Sequence, residues 1–345
     1  MSEGRRPSTA RSGRPEPVEG RRLLTAAYAA AGTALFVYVV RRAGVAEIVA
    51  GIREVGWGLA AILALAGARF ILRAACWRLC MPPHARLPFD GTLAAFLAGD
   101  AVGNVTPLGL LASEPTKIFL VRHHLATRDS VASLALENLI YAVSVGLVVM
   151  AGLLVVLATV PMPGVWQAAF VAALVATAGG GVFAVRLLRG TWDDRQGRRP
   201  RWRERLAGVR LAVMGFSAEH MPRLWRALAL DGLFHTLAIL EIFLTLWWLS
   251  GRMPTLAQAI IFESLNRLVT IAFKFVPFRI GVDEALSGAA APLLALNPAA
   301  GVTLAVVRKV RNLFWTGIGL AIIAAHPVRA GRPTGPGGNA PAPQP

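Results

Sequence analysis

Apolar residues along the chain gather into runs of about 20, the helical length that crosses roughly 30 Å of hydrocarbon. Short charged or Gly- and Pro-rich stretches separate them. The runs fall at about 23–40, 57–77, 91–111, 130–159, 165–188, 224–249, 256–276 and 298–325. They predict an all-α fold, a polytopic transmembrane helix bundle of about 7–8 spans. Two runs are broken by helix breakers and polar groups: Gly99 through Thr106-Pro107-Leu108-Gly109, and Phe275-Val276-Pro277-Phe278-Arg279-Ile280-Gly281. Lipid cannot hydrogen-bond an open backbone, so such breaks survive only where protein or a water-filled cavity surrounds them. A bundle with a polar interior follows.

The two breaks resemble each other. Pro107 and Glu114 are seven residues apart, as are Pro277 and Glu284, and each break leads into a long helix with a charge inside it. Glu137 lies 23 residues beyond Glu114, and Arg308 lies 24 beyond Glu284. Pro-x-x-Gly breaks are common in membrane helices, but a trailing Glu has little structural reason to recur. The spacing therefore predicts two pseudo-repeats, about 91–159 and 256–325, of the kind that meet at a substrate site near the bilayer midplane.

Residues 1–20 and 329–345, rich in Arg, Gly and Pro, read as disordered tails around a transmembrane unit at 21–328. The run at 23–40 has full span length and is followed by Arg41-Arg42, not by a small-residue cleavage site. It reads as a retained helix. The loop at about 189–222 and the N-terminal tail are arginine-rich and predict a cytoplasmic side for both. That requires an even number of spans between them and makes 91–111 a re-entrant segment, although Arg41, Arg42 and Arg53 then face outward.

Composition sharpens this picture. The chain is 55% hydrophobic and 16% charged with a mean hydropathy of +0.55, too apolar for an ordinary soluble protein. The net charge of +17 sits in tails and loops beside apolar runs, which favours orientation and anionic headgroups and argues against nucleic acid. Cys76 and Cys80, four apart on one apolar helix, read as packing residues, not as a metal or disulfide pair.

A charge at the centre of a membrane helix costs roughly 2.5–3.5 kcal/mol on insertion scales, so retained ones pair or line a path. Arg308 falls about 15 Å into the last helix at 1.5 Å per residue, and Glu137 at similar depth in its own. They are expected to face one cavity as opposite charges, with a purely structural ion pair as the alternative. Glu114, Glu284, Arg311, Asn104, Pro107, Pro277 and Lys117 complete the candidate translocation site, with Lys309 pointing elsewhere. Glu263 and Arg267, four apart, predict a salt bridge within one helix. Asp231 and His235, with Glu241 farther along, form either a proton relay or a polar packing face. Lys117, Arg122, His123, His124 and Arg128 suggest an interfacial helix. Trp77, Trp166, Trp225, Trp247 and Trp248 lie near run ends, as interface anchors do. The sequence carries no phosphate loop, metal-spaced His/Cys cluster or nucleophile elbow, so no catalytic residue, metal or cofactor is expected.

The stretch from Gly99-Asp100 through Thr106-Pro107 to Glu114-Pro115-Thr116-Lys117, then Ser133 to Glu137-Asn138, resembles the transmembrane region of lysylphosphatidylglycerol synthase/flippase proteins. Pro277 to Gly281-Val282-Asp283-Glu284 and the helix bearing Arg308 to Arg311 resemble its second signature. The likeness covers nearly all of residues 23–325. It implies a flippase moving phospholipids, aminoacyl-phospholipids or a related lipid such as a hopanoid between leaflets of the inner (plasma) membrane. Its partners would be membrane lipids and lipid-biosynthesis proteins, with the oligomeric state open. The synthase activity of two-domain members is not implied. A membrane enzyme acting on lipid headgroups and a non-transporting scaffold of a lipid-synthesis complex are the alternatives.

Overall fold

A computed structural model of the chain describes residues 45–106, 109–189, 221–273 and 276–325. The apolar run at 23–40, Arg41, Arg42, Pro107, the arginine-rich loop beyond Arg189 and both tails lie outside the described residues.

Among the described residues there are ten α-helices and no strand. In chain order they are α1 Val45–Val55, α2 Gly58–Cys80, α3 Phe89–Val105, α4 Leu110–Val121, α5 Thr127–Thr159, α6 Gly164–Arg189, α7 Met221–Ser250, α8 Leu256–Ala272, α9 Val282–Ala290 and α10 Pro298–Ala325. Short 3₁₀ turns cover Pro277–Arg279 and Pro292–Leu294. This is the all-α membrane bundle that the apolar runs predict. Among the described residues three helices are long and apolar enough to cross a membrane: α2, α5 and, over Pro222–Ser250, α7. Of the rest, α3 and α8 stop after 17 residues at the two breaks, and α10 carries Arg308, Lys309 and Arg311 in its middle.

The two halves interlock. Each runs long helix, 17-residue helix, break, short helix, long helix: α2 to α5, then α7 to α10. The opening helices, α2 and α7, pack against each other. The second helix of each half packs against the last helix of the other, α3 on α10 and α8 on α5. The halves differ at the short helix. In the first, α4 folds back along α3; in the second, α9 lies mainly along α10.

Small residues permit these approaches. Gly99 and Gly103, four apart on α3, face α4; a Cβ on Gly103 would sit 3.1 Å from the Ser113 Cβ and 3.3 Å from the Gly109 carbonyl oxygen. Where α10 crosses α3, a Cβ on Gly319 would lie 2.6 Å from the Ala101 Cβ. Gly319→Leu is therefore expected to wedge the halves apart and destabilise the bundle by about 1–3 kcal/mol, read as a lower thermal midpoint in detergent.

The breaks are held by backbone conformation. Gly109, at φ 45°, turns the chain from α3 into α4. The second break is more strained: Phe278 (φ 51°) and Arg279 (φ 49°) both lie in the left-handed region before Gly281 (φ 83°). Consecutive side-chain-bearing residues there cost of order 1–3 kcal/mol each, a cost that clusters at functional sites. Packing supplies part of the restraint, since the Phe278 ring is buried with Val105 and Leu313.

Two placements differ from expectation. Trp77 is fully buried, its Nε1–H donating to the Ser133 Oγ at 3.1 Å, because the helix end it marks is covered by α5. Lys117 is buried under α3, not laid along headgroups; only Arg122, His123, His124 and Arg128 of that stretch are exposed.

Candidate functional site

The buried face of α2 repeats every three or four residues: Ile62, Ala66, Arg69, Arg73, Cys76 and Cys80. That is the stripe of a helix packed along a neighbour, yet two of its members are arginines one turn apart. Both are buried, so both must find partners on the helices that cover them.

Arg73 reaches α5 and α7 at once. Its Nη2 lies 2.5 Å from the Glu137 Oε1 and its Nη1 3.4 Å from the Asp231 Oδ1. Its guanidinium stacks 3.8 Å from the centroid of the Tyr141 ring. Arg69 Nη1 donates to the Glu241 Oε2 at 2.9 Å. The other oxygen of Glu241 is ion-paired with Arg311 of α10, so one carboxylate on α7 bridges the two halves. Arg69, Arg267 and Arg73 also surround the Phe234 ring at 4.6, 5.2 and 5.9 Å. The negative faces of an aromatic ring ease that gathering of like charges.

Around Phe234 the network continues through a second ion pair and through hydroxyl and imidazole groups. Arg267 Nε donates to the Glu263 Oε1 at 2.6 Å, and its Nη1 donates to the Tyr141 hydroxyl at 2.9 Å. The same-helix Glu263–Arg267 pair predicted from spacing is present. The Ser144 Oγ lies 3.3 Å from the Asp231 Oδ2 and 3.1 Å from the His235 Nε2. The His235 Nδ1 is 3.9 Å from the Glu263 Oε1. Four guanidinium groups (Arg69, Arg73, Arg267, Arg311) thus share the interior with four carboxylates (Glu137, Asp231, Glu241, Glu263), all of them buried. Each ion alone would cost several kcal/mol to desolvate, and mutual pairing is what allows it to remain.

The remaining candidates occupy separate places. Glu137 and Arg308 do not pair: Glu137 is taken by Arg73, while Arg308 Nη2 donates to the Ser287 Oγ at 3.1 Å and its Nε to the Leu304 carbonyl at 3.4 Å. A cation on α2, three helices earlier in the chain, satisfies Glu137 instead. Glu284 is ion-paired with Lys309, the neighbour expected to point elsewhere, and also accepts from the Gly281 N–H at 2.8 Å. Both line a cavity of about 470 Å³ between α1, the second break and α10, together with Glu54 and Gly281. Pro277 opens the 3₁₀ turn beside it. Glu114 holds Lys117 at 3.0 Å, and the ammonium sits 4.2 Å over the Phe96 ring. Asn104 donates to the Asp100 Oδ2 at 2.8 Å and reaches the Thr316 hydroxyl of α10 at 3.4 Å.

Arg69 and Arg73 are not among the residues that repeat and spacing single out. The signal was present: two arginines stand in the middle of the apolar run at 57–77 and bear the same insertion cost as Arg308. Tyr141 and Ser144 carry no such mark, because hydroxyls are ordinary in membrane helices. Among the described residues no group of three His, Cys, Asp or Glu is placed to hold a metal ion. What the site offers is guanidinium and ammonium groups for anions, carboxylates for cations, and aromatic faces between them.

No curated protein matches the chain, and no solved structure does. The model of one family, described as the lysylphosphatidylglycerol synthase TM region, matches residues 24–319. An all-α bundle with charges sequestered between two interlocked halves, matched over that length, belongs to this lipid-related membrane family.

Proposed function

We propose that the protein translocates lipid between the leaflets of the inner (plasma) membrane. Phospholipid, aminoacyl-phospholipid or a related lipid such as a hopanoid is moved with its headgroup in the polar interior and its acyl chains left in the bilayer. The observation that carries this reading is Arg308. It is 4% exposed, yet it alone among the buried cations of the described residues has no carboxylate within ion-pairing distance, and Asp283, whose charge acts on it, is already paired with Arg279. A buried guanidinium without a counter-ion is expensive unless an anion visits it, and a lipid phosphate is the anion a bilayer supplies in quantity. Arg311, one turn away, shares Glu241 with Arg69, so two guanidinium groups there depend on one carboxylate. The cavity at Glu284 and Lys309 adds a polar recess on the same two helices, although Arg308 itself does not line it.

In this reading the two broken segments, including Asn104, Pro107 and Pro277, open helix interiors to the headgroup. Glu114 and Lys117 serve the first half as Glu284 and Lys309 serve the second. In the same reading the N-terminus lies on the cytoplasmic side, the side its arginines favour.

The test is a leaflet-resolved assay in phosphatidylcholine proteoliposomes with acyl-chain-labelled phosphatidylglycerol. Movement of unaltered lipid between leaflets supports translocation. New lipid species would replace it with headgroup chemistry, and neither outcome would leave a scaffolding role.

A further inference from the structure

Four guanidinium groups and four carboxylates pair in the interior network, and His235 stands among them on α7; Arg308 lies outside these pairs. Tyr141 of α5 stacks on the ring, and Glu263 and Arg267 of α8 and Asp231 of α7 act on it directly; the other charged groups on the helices packed there are Arg69 and Arg73 of α2, Glu137 of α5, Arg311 of α10 and Glu241 of α7. Helix α1, which also touches α7, turns Arg53 and Glu54 outward.

With the Ser144 hydrogen given to an oxygen and not to the ring, the bonding of His235 leaves one vacancy for a proton. The Ser144 hydroxyl has one hydrogen and lies within reach of the Asp231 carboxylate and the Tyr141 carbonyl. When it donates to either, its oxygen accepts from the His235 Nε2–H at 3.1 Å. Nδ1 is then a bare nitrogen. It is buried without a hydrogen-bond partner and faces the Glu263 Oε1 at 3.9 Å. Two lone-pair-bearing atoms turned toward each other in a buried site are what a missing proton looks like. The same Oε1 accepts from Arg267 Nε at 2.6 Å.

Resting on the translocation reading above, we propose that His235 is a proton-binding site coupled to the anionic headgroup. A proton taken up at Nδ1 forms an N–H aimed at Glu263. That new partner competes for Oε1 with Arg267 and frees the guanidinium for the phosphate. Headgroup and proton therefore favour each other's binding by the same factor and travel together.

The full-length protein is reconstituted in phosphatidylcholine vesicles with acyl-chain-labelled phosphatidylglycerol and a one-unit pH step across the membrane. One proton per lipid drives the label into the leaflet facing the alkaline compartment, to about a tenfold leaflet ratio. His235→Gln removes this response and settles at an even ratio. A lumenal pH dye supplies a second readout on the unaltered protein, with one proton crossing per labelled lipid moved. Wild-type lipid movement that reaches an even ratio with no dye response would overturn the coupling while leaving translocation standing. Absence of lipid movement in the wild type would remove both.

Discussion

Replacing Arg73 with alanine is expected to destabilise the protein by about 3–5 kcal/mol, the range for breaking a buried ion pair from one side. The guanidinium lies against Glu137 on α5 and Asp231 on α7 and stacks on Tyr141. Its removal leaves Glu137, which is fully buried, without its ion-pair partner. Nothing else in the network is spare: Arg69 and Arg311 are committed to Glu241, and Arg267 to Glu263. The measurement is the thermal midpoint in detergent, together with the fraction of protein recovered as a monodisperse species. Arg73→Ala/Glu137→Gln is expected to regain a good part of the loss, since the orphan carboxylate goes with its partner. Arg73→Lys should rescue poorly, because an ammonium cannot reach two carboxylates and stack on a ring at once. If Arg73→Ala melts within about 1 kcal/mol of wild type, the buried network is not what joins these helices.

Arg308→Ala is expected to have the opposite profile, with lipid movement reduced at least tenfold and the thermal midpoint nearly unchanged. Arg308 bonds a hydroxyl and a carbonyl, both neutral. Its loss strands no charge, and the stability change should stay near the 0.5–1.5 kcal/mol of an ordinary hydrogen bond. The functional loss follows from its lack of a carboxylate: it is the buried cation most available to a lipid phosphate. Lysine at this position should recover part of the rate, since a point charge still attracts phosphate but cannot grip it with two parallel bonds. Unchanged transport by Arg308→Ala would remove this residue from the site and, with it, the principal support for headgroup binding there.

The two-fold plan of the chain is legible in its sequence, because helix breakers leave a mark in any lipid-facing chain. Pro277 and the glycines at 109 and 281 sit at the breaks where their spacing placed them. The Glu263–Arg267 bridge was equally accessible, since a separation of four fixes neighbours on one helix. Partners on different helices were not. Glu137 and Arg308 match in register, and the spacing argument joined them as opposite charges, but register along a repeat says nothing about which helices cross at that depth. The swapped packing of α3 on α10 and α8 on α5 is a long-range property without a local signature. Lys309 illustrates the same limit. Its direction depends on where α9 folds, and α9 follows α10, not α8.

That interlocking bears on how the chain reaches the membrane. Synthesis proceeds from α3 to α10, and residues 106–297 emerge between them. Until α10 leaves the ribosome, the face of α3 around Leu97 and Ala101 lacks the Gly319 surface it is shaped to meet, and Glu241 lacks Arg311. The first half must therefore be inserted and held half-finished, its interior closed only once α10 is made. A nascent chain stalled before α10 should remain with the insertion machinery, and its early helices should be open to quality-control proteases.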